Sequence, residues 1–100
     1  MLLVREIMYC KPGKVRPLLE KFRAMAKLGE KKGWAKMRMM TDVCAERYWT
    51  LVAEMEVQTV DEFMKMMEDD SADMEEMGKI MEGYHDLVDY GKREIYKIEE

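Results

Sequence analysis

The side chains that most often transfer protons or attack as nucleophiles are scarce in this sequence. It contains one histidine, His85, one serine, Ser71, and no asparagine. A Ser-His-Asp arrangement would need Ser71 and His85 to meet, but both fall in one predicted helical segment, where Ser71 is better explained as a cap. His85 follows Tyr84 at the edge of an apolar stripe, where it could move a proton. A helix-edge histidine that bonds only to a neighbour or to water is the alternative.

Methionine is the second chemical feature, with 13 residues among 100. Thioether sulfur is a soft ligand that suits copper(I). However, Met37 and Met39 alternate as on a strand, and Met74, Met77 and Met81 follow helical spacing. We therefore predict a metal-free apolar core, because the flexible methionine side chain fills irregular gaps. A pocket lined by methionine would also adapt to hydrophobic ligands of varied shape.

The two cysteines are too few for a disulfide framework and lack metal-ligand spacing. Cys10 ends the first predicted strand, and Cys44 lies in the hairpin before the third. Antiparallel pairing of these strands would bring the two thiols towards each other. A redox pair and two separate reduced thiols both fit this pattern.

The elements that must position these residues follow from the hydrophobic periods. Alternation with period two predicts strands, and period 3.6 predicts helices. The order βαββαβ indicates a ferredoxin-like α+β fold, in which a four-stranded antiparallel sheet carries two helical layers on one face. The predicted strands are 2–10, 35–41, 47–58 and 93–99, and the predicted helices are 15–32, 60–67 and 71–90.

Residues at the helix ends support these boundaries. Pro17 falls in a first turn, and Gly33 is a plausible residue just past a helix end. Thr59 and Glu62 have the spacing of a capping box. The acidic run at 68–70 breaks the helical phase before Ser71, and Gly91 would end the last helix.

The third strand has one apolar face and one mixed face. The apolar face should meet the helices. Tyr48, Val52 and Glu54 alternate on the mixed face, which is too apolar to remain in water. This pattern predicts a partner subunit, namely a second copy of the chain. Together with Tyr9 and Tyr96 on neighbouring strands, these residues could line a small-molecule site.

Length and charge restrict the other possibilities. One hundred residues predict a single domain over 1–100. The net charge of −4 and the absence of a basic stripe argue against a nucleic-acid partner. No apolar run has the length of a membrane span, and the N-terminus does not resemble a signal peptide, so we expect a cytoplasmic protein without a membrane partner.

Three stretches resemble the dimeric α+β barrel superfamily of ferredoxin-like domains, which includes antibiotic-biosynthesis-monooxygenase-like and NIPSNAP-like proteins. They are the strand that runs into Lys11-Pro12-Gly13-Lys14, the segment 48–63, and the closing Gly91-Lys92-Arg93-Glu94-Ile95-Tyr96. Together they span nearly the whole chain. The resemblance implies a homodimer whose two sheets face each other around a barrel.

The resemblance also implies several activities. Members include cofactor-free oxygenases, isomerases and haem-degrading enzymes, and fold does not choose among them. Haem-binding relatives take an axial histidine from the second helix, a region comparable to that of His85. Those relatives also use an asparagine and a tryptophan near the haem. This chain has no asparagine, and Trp34 and Trp49 precede the second helix.

The sequence therefore predicts a dimeric protein without a cofactor that binds a small hydrophobic molecule, either between sheet and helices or in the barrel. Tyr9, Tyr48, Val52 and Tyr96 are the candidate ligand-binding residues. One alternative is a cofactor-independent monooxygenase-like enzyme that acts on an aromatic or phenolic substrate. In that case Tyr48 would orient the substrate, and His85 or Glu54 would move a proton. A second alternative is a haem-binding protein with His85 as the axial ligand.

Overall fold

The structure is a computed structural model that describes residues 1–68 and 73–99. Its four strands form one antiparallel sheet in the order β2-β3-β1-β4, which confirms the predicted ferredoxin-like α+β fold. None of the helices in the described ranges is long and apolar enough to cross a membrane. The elements are β1 (Leu2–Cys10), α1 (Val15–Lys31), β2 (Met37–Thr41), β3 (Thr50–Val57), α2 (Val60–Met67), α3 (Asp73–Ile80), a 3-10 turn (Tyr84–Asp86) and β4 (Val88–Lys97).

The core lies between the helices and one face of the sheet. Leu51, Ala53, Met55 and Val57 alternate along β3 and are all buried, which confirms the apolar face predicted for this strand. The core forms two clusters. One joins α1 to Leu51 and Cys10, and the other joins Phe63 of α2 to Met55 and Val57.

The other face of the sheet carries no helix, and we call it the open face. It is defined by Leu3, Arg5, Ile7 and Tyr9 of β1 together with their cross-strand partners. Directly paired residues point to the same side of a sheet, so Val52 and Glu54 of β3 share this face. On this face Glu54 lies between arginine side chains of the two neighbouring strands.

The ends of α1 and α2 follow the sequence signals. Gly33 adopts a φ of +77°, which only glycine reaches readily, and terminates α1 as predicted. The Glu62 N–H donates to Thr59 Oγ1 at 3.1 Å, which confirms the cap of α2. The Glu62 carboxylate accepts from the Gln58 N–H instead of the Thr59 N–H, so the capping box is displaced by one residue.

The end of the chain differs from the sequence prediction. The last helix stops at Ile80, and β4 begins at Val88, five residues before the predicted strand start at Arg93. Gly83, at a φ of +82°, reverses the chain ahead of the 3-10 turn. The predicted cap at Ser71 and helix break at Asp69 and Asp70 lie outside the described residues.

Gly91 lies inside β4 and does not end a helix. A Cβ atom on Gly91 would stand 2.7 Å from Met8 Sδ and 3.1 Å from the Ile7 carbonyl oxygen. The residue is therefore glycine because β1 approaches it closely. Gly91 is thus a position within a strand, and the helix end predicted there from the sequence is wrong.

The start of β3 also differs. The predicted strand begins at 47, whereas the observed one begins at Thr50. Trp49 has a φ of +61°, a left-handed conformation that a bulky side chain seldom adopts and that costs about 1–3 kcal/mol. Two hydrogen bonds hold it, from the Cys10 N–H to the Trp49 carbonyl and from the Thr50 N–H to Asp42 Oδ1. Extended geometry cannot continue through this residue, and Tyr48 is left in the loop.

Candidate functional site

An apolar cavity of about 180 Å³ lies between α1, α2, α3 and the sheet, and we call it the methionine pocket. Every described residue that lines it is apolar. Trp34 and Phe63 supply aromatic surface, and Ala26 and Gly29 leave room on α1. The methionines that line it come from five elements: Met25, Met37, Met55, Met66, Met67 and Met77.

Local sequence explains how the pocket stays open. Met25, Ala26 and Gly29 follow helical spacing, so they share one face of α1. A Cβ atom on Gly29 would stand 3.0 Å from Trp34 Cε3, so glycine lets the indole pack directly against the helix. The pocket is thus built from residues of small volume on α1 and flexible thioethers elsewhere.

The open face carries a buried carboxylate at its centre. Glu54 is 6% exposed. Arg5 Nε donates to its Oε2 at 2.7 Å, and Arg38 Nη2 donates to its Oε1 at 2.8 Å. The hydrogen bond from Arg38, followed by that from Arg5, holds the pKa of the Glu54 carboxyl below its usual value, although burial opposes this effect. We call these three residues the Arg-Glu-Arg triad.

The triad makes Glu54 a poor proton donor or acceptor. A carboxyl with a lowered pKa is ionised near neutral pH, so it cannot act as a general acid there. Both oxygens already accept charge-assisted hydrogen bonds, which weakens their basicity. Glu54 therefore organises the sheet surface electrostatically.

The aromatic candidates on the open face lie at its two ends. At one end the Tyr9 and Tyr90 ring centroids are 4.8 Å apart, and the Arg47 guanidinium carbon stands 4.9 Å from the Tyr9 centroid. Tyr9 is buried beneath this cluster. At the other end Arg5 stands 5.5 Å from the centroid of the exposed Tyr96 ring.

Val52 lies between the two ends. It is half-buried and pairs with Ile7 and Met40 on the neighbouring strands. Three of the four residues predicted to bind a ligand, Tyr9, Val52 and Tyr96, thus share the open face, and Tyr48 does not.

Tyr48 lies in a separate cleft. It is 84% exposed in the loop before β3. With Trp49 it borders a cleft of about 400 Å³ that also includes Arg16 and Asp42, and we call it the Trp49 cleft. Sequence reasoning placed Tyr48 on the strand, because no pattern signalled the left-handed backbone of Trp49.

His85 lies in a third location. It occupies the exposed 3-10 turn, where its ring centroid is 4.0 Å from that of Tyr84. The cleft beside it, of about 370 Å³, also contains Lys92 and Arg93. The sequence placed His85 on a helix, and the correction follows from the chain reversal at Gly83.

Comparisons with known proteins identify the fold. No protein-family model matches the sequence, and no curated protein matches it. Solved structures do match. A NIPSNAP domain protein from Burkholderia xenovorans superposes with a TM-score of 0.73 at 12% identity, over 99% of this chain and 95% of that one. A NIPSNAP family protein from Agrobacterium tumefaciens gives 0.71 at 14% identity, over 97% and 92%. An antibiotic biosynthesis monooxygenase gives 0.74 at 11% identity, over 100% of both chains.

This chain shares its fold with these three proteins. The resemblance stated from the sequence is thereby confirmed at the level of fold. At these identities the comparisons show no activity.

Within this fold the three predicted catalytic residues do not meet. Glu54 lies on the open face, His85 beside the 3-10 turn, and Tyr48 in the Trp49 cleft. Their roles stay predictions, but a shared catalytic centre would require the sheet and two loops to rearrange. None of the three residues lines the methionine pocket.

The residues also do not fit haem. A haem site combines an apolar cavity with an axial ligand such as histidine. The apolar cavity here is small, and the predicted ligand, His85, lies outside it in an exposed turn. Among the described residues, no three histidine, cysteine, aspartate or glutamate side chains group as they would around a metal ion.

The cysteines are far from equivalent. Cys10 is buried and Cys44 is exposed, and both are free. Burial, with a smaller effect of Asp42, raises the pKa of the Cys10 thiol, so little of it is the reactive thiolate.

Proposed function

We propose that this protein binds a small hydrophobic molecule in the methionine pocket. The observation that carries the proposal is the pocket's lining, in which none of the described residues has an ionisable side chain. Its volume of about 180 Å³ exceeds that of an engineered apolar cavity of about 150 Å³ that binds benzene in another protein. The expected ligand is therefore one ring in size, with few polar groups.

The same lining argues against water as the occupant. An ordered water needs two to four polar partners, and the side chains that line the pocket offer few. The lining methionines have several rotatable bonds, so they can adjust to ligands of different outline. The proposal needs no cofactor and no catalytic group.

Nuclear magnetic resonance of the indole N–H groups tests this proposal, because Trp34 lines the pocket and Trp49 does not. We expect toluene to shift the Trp34 resonance in a saturable way, with a dissociation constant on the order of 1 mM or lower. Ala26→Leu should abolish the shift by filling the pocket. Ala24→Leu, on the same helix but outside the pocket, is the matched control. A Trp34 resonance unmoved by toluene, or one that responds equally in both variants, would refute the proposal.

The proposed assembly is a homodimer formed through the open face. This face holds exposed apolar side chains, including Met40, Tyr90 and Tyr96, beside charges of both signs. A surface with both signs can complement itself when two copies meet across a twofold axis. Arg38 is 73% exposed in the single chain and would be covered.

Sedimentation equilibrium tests the assembly. We expect a dimer for the unmodified protein and a monomer for Met40→Glu. Val60→Glu is the matched control, because Val60 is similarly exposed but lies on α2, away from the open face. A monomeric unmodified protein, or a dimer that only Val60→Glu disrupts, would exclude this interface.

A further inference from the structure

The Trp49 cleft has features that neither the fold nor the proposed function requires. It lies on the helix side of the sheet, separate from the methionine pocket and from the open face. Thr41 lines it and pairs with Leu51, whose side chain faces the helices, which establishes that side. Its volume of about 400 Å³ is within the range of sites for small molecules.

Two large aromatic side chains at the cleft are exposed to solvent. Trp49 is 44% exposed and Tyr48 is 84% exposed, although large aromatic side chains contribute most when buried. Trp49 is also in a left-handed conformation, and the peptide bond that joins it to Thr50 is hydrogen-bonded through both of its polar groups, to the Cys10 N–H and to Asp42 Oδ1. An exposed indole ring thus stands next to an anchored peptide bond, and backbone strain of this kind is common at functional sites.

The two charged residues of the cleft differ in whether their side chains are already hydrogen-bonded. Arg16 forms no ion pair or hydrogen bond among the described residues, so its guanidinium is free to bind. Asp42 is already engaged, because its Oδ1 accepts the hydrogen bond from the Thr50 N–H. A free guanidinium binds a carboxylate with two parallel hydrogen bonds, whereas Asp42 would repel one.

We infer that the Trp49 cleft binds a planar aromatic molecule that carries a carboxylate. The ring stacks on Trp49 and Tyr48, and the carboxylate pairs with Arg16 away from Asp42. Gly13 borders the cleft without a side chain, which leaves room for the ligand. The site differs from the methionine pocket in the chemical class of its ligand, because it requires a negative charge.

The two tryptophans allow one experiment to separate the two sites. In ¹⁵N-labelled protein, each indole N–H gives its own resonance, assigned with Trp34→Phe and Trp49→Phe. We expect 2-naphthoate to shift the Trp49 resonance in a saturable way. The neutral analogue 2-naphthylmethanol should bind about five- to tenfold more weakly, because the charge-assisted hydrogen bonds are lost.

Arg16→Gln should weaken 2-naphthoate binding by the same factor and leave binding of 2-naphthylmethanol unchanged. Lys27→Gln removes the same charge from an exposed position on α1 outside the cleft and should bind 2-naphthoate as the unmodified protein does. Equal binding by the two variants, equal binding of the two probes, or a shift of Trp34 alone would overturn the inference. The toluene response of Trp34 is independent of each of these results.

Discussion

Replacing Glu54 by glutamine should destabilise the protein by about 2–3 kcal/mol. A hydrogen bond to a charged group contributes about 1.5–3 kcal/mol, and Glu54 accepts two. The Arg38 side chain is 73% exposed, so screening by solvent makes its share the smaller one. The Arg5 side chain is 35% exposed and supplies most of the remainder. The neutral amide would also leave two cations facing each other across the sheet.

Urea denaturation at fixed protein concentration measures this effect. With a slope of about 1–3 kcal/mol per molar, the midpoint should fall by about 1–2 M. Glu56→Gln is the control, because Glu56 lies on the same strand and face but is exposed. A loss for Glu54→Gln no larger than that for Glu56→Gln would show that the triad adds nothing to stability.

The pH dependence gives a second, independent check. The folded-state pKa of Glu54 is lowered, so its contribution is present above the unfolded-state pKa of about 4.3. That contribution is lost as the pH falls through the lower folded-state pKa. The difference in unfolding free energy between the unmodified protein and Glu54→Gln should therefore be constant near neutral pH and shrink in acid. A difference that grows in acid would reverse the assigned sign.

Four further substitutions test backbone conformation, a helix cap and close packing. Gly33→Ala should destabilise the protein by about 1–2 kcal/mol, because Gly33 has a positive φ. Gly78→Ala should stabilise it by up to about 1 kcal/mol, because Gly78 is exposed within α3 and alanine favours a helix. Thermal melts in which both substitutions shift the melting temperature in the same direction would contradict this. Thr59→Ala should cost about 0.5–2 kcal/mol in urea unfolding through loss of the α2 cap, and an unchanged midpoint would exclude that role. Gly91→Ala should cost about 1–3 kcal/mol by crowding Met8, with a lowered melting temperature as the readout and an unchanged one as the contrary result.

The sheet could be predicted because its strands alternate strongly. On β3 the buried apolar residues of the core face fall at every second position from Leu51 to Val57, and this pattern orients the whole strand. The predicted final strand starts too late because the burial of β4 is slight: only Val88 and Glu94 are half-buried, and its other residues, including Tyr90 and Lys92, are exposed. The two faces of β4 therefore differ little in hydrophobicity, so the alternation that predicts a strand is weak there. Glycine often ends a helix, so Gly91 favoured a helix end at this point instead.

The candidate site could be predicted only in composition. The methionine spacing correctly indicated packing against an apolar interior, including Met37 and Met77. It could not indicate that residues from five elements would enclose a single cavity, because that depends on tertiary packing. The spread of Tyr48, Glu54 and His85 over three regions depends on two local backbone features, at Trp49 and Gly83, that neighbouring residues do not signal.

The strand order β2-β3-β1-β4 leaves two edges, each of which offers unpaired backbone groups to other chains. One edge, β2, is only five residues long. The other, β4, is ten residues long but carries charged side chains at half of its positions: Asp89, Lys92, Arg93, Glu94 and Lys97. Short length and charge both discourage a strand from adding further strands. The edges therefore oppose growth into extended sheets or fibres, and the protein can keep an apolar face on its sheet without forming aggregates through its margins.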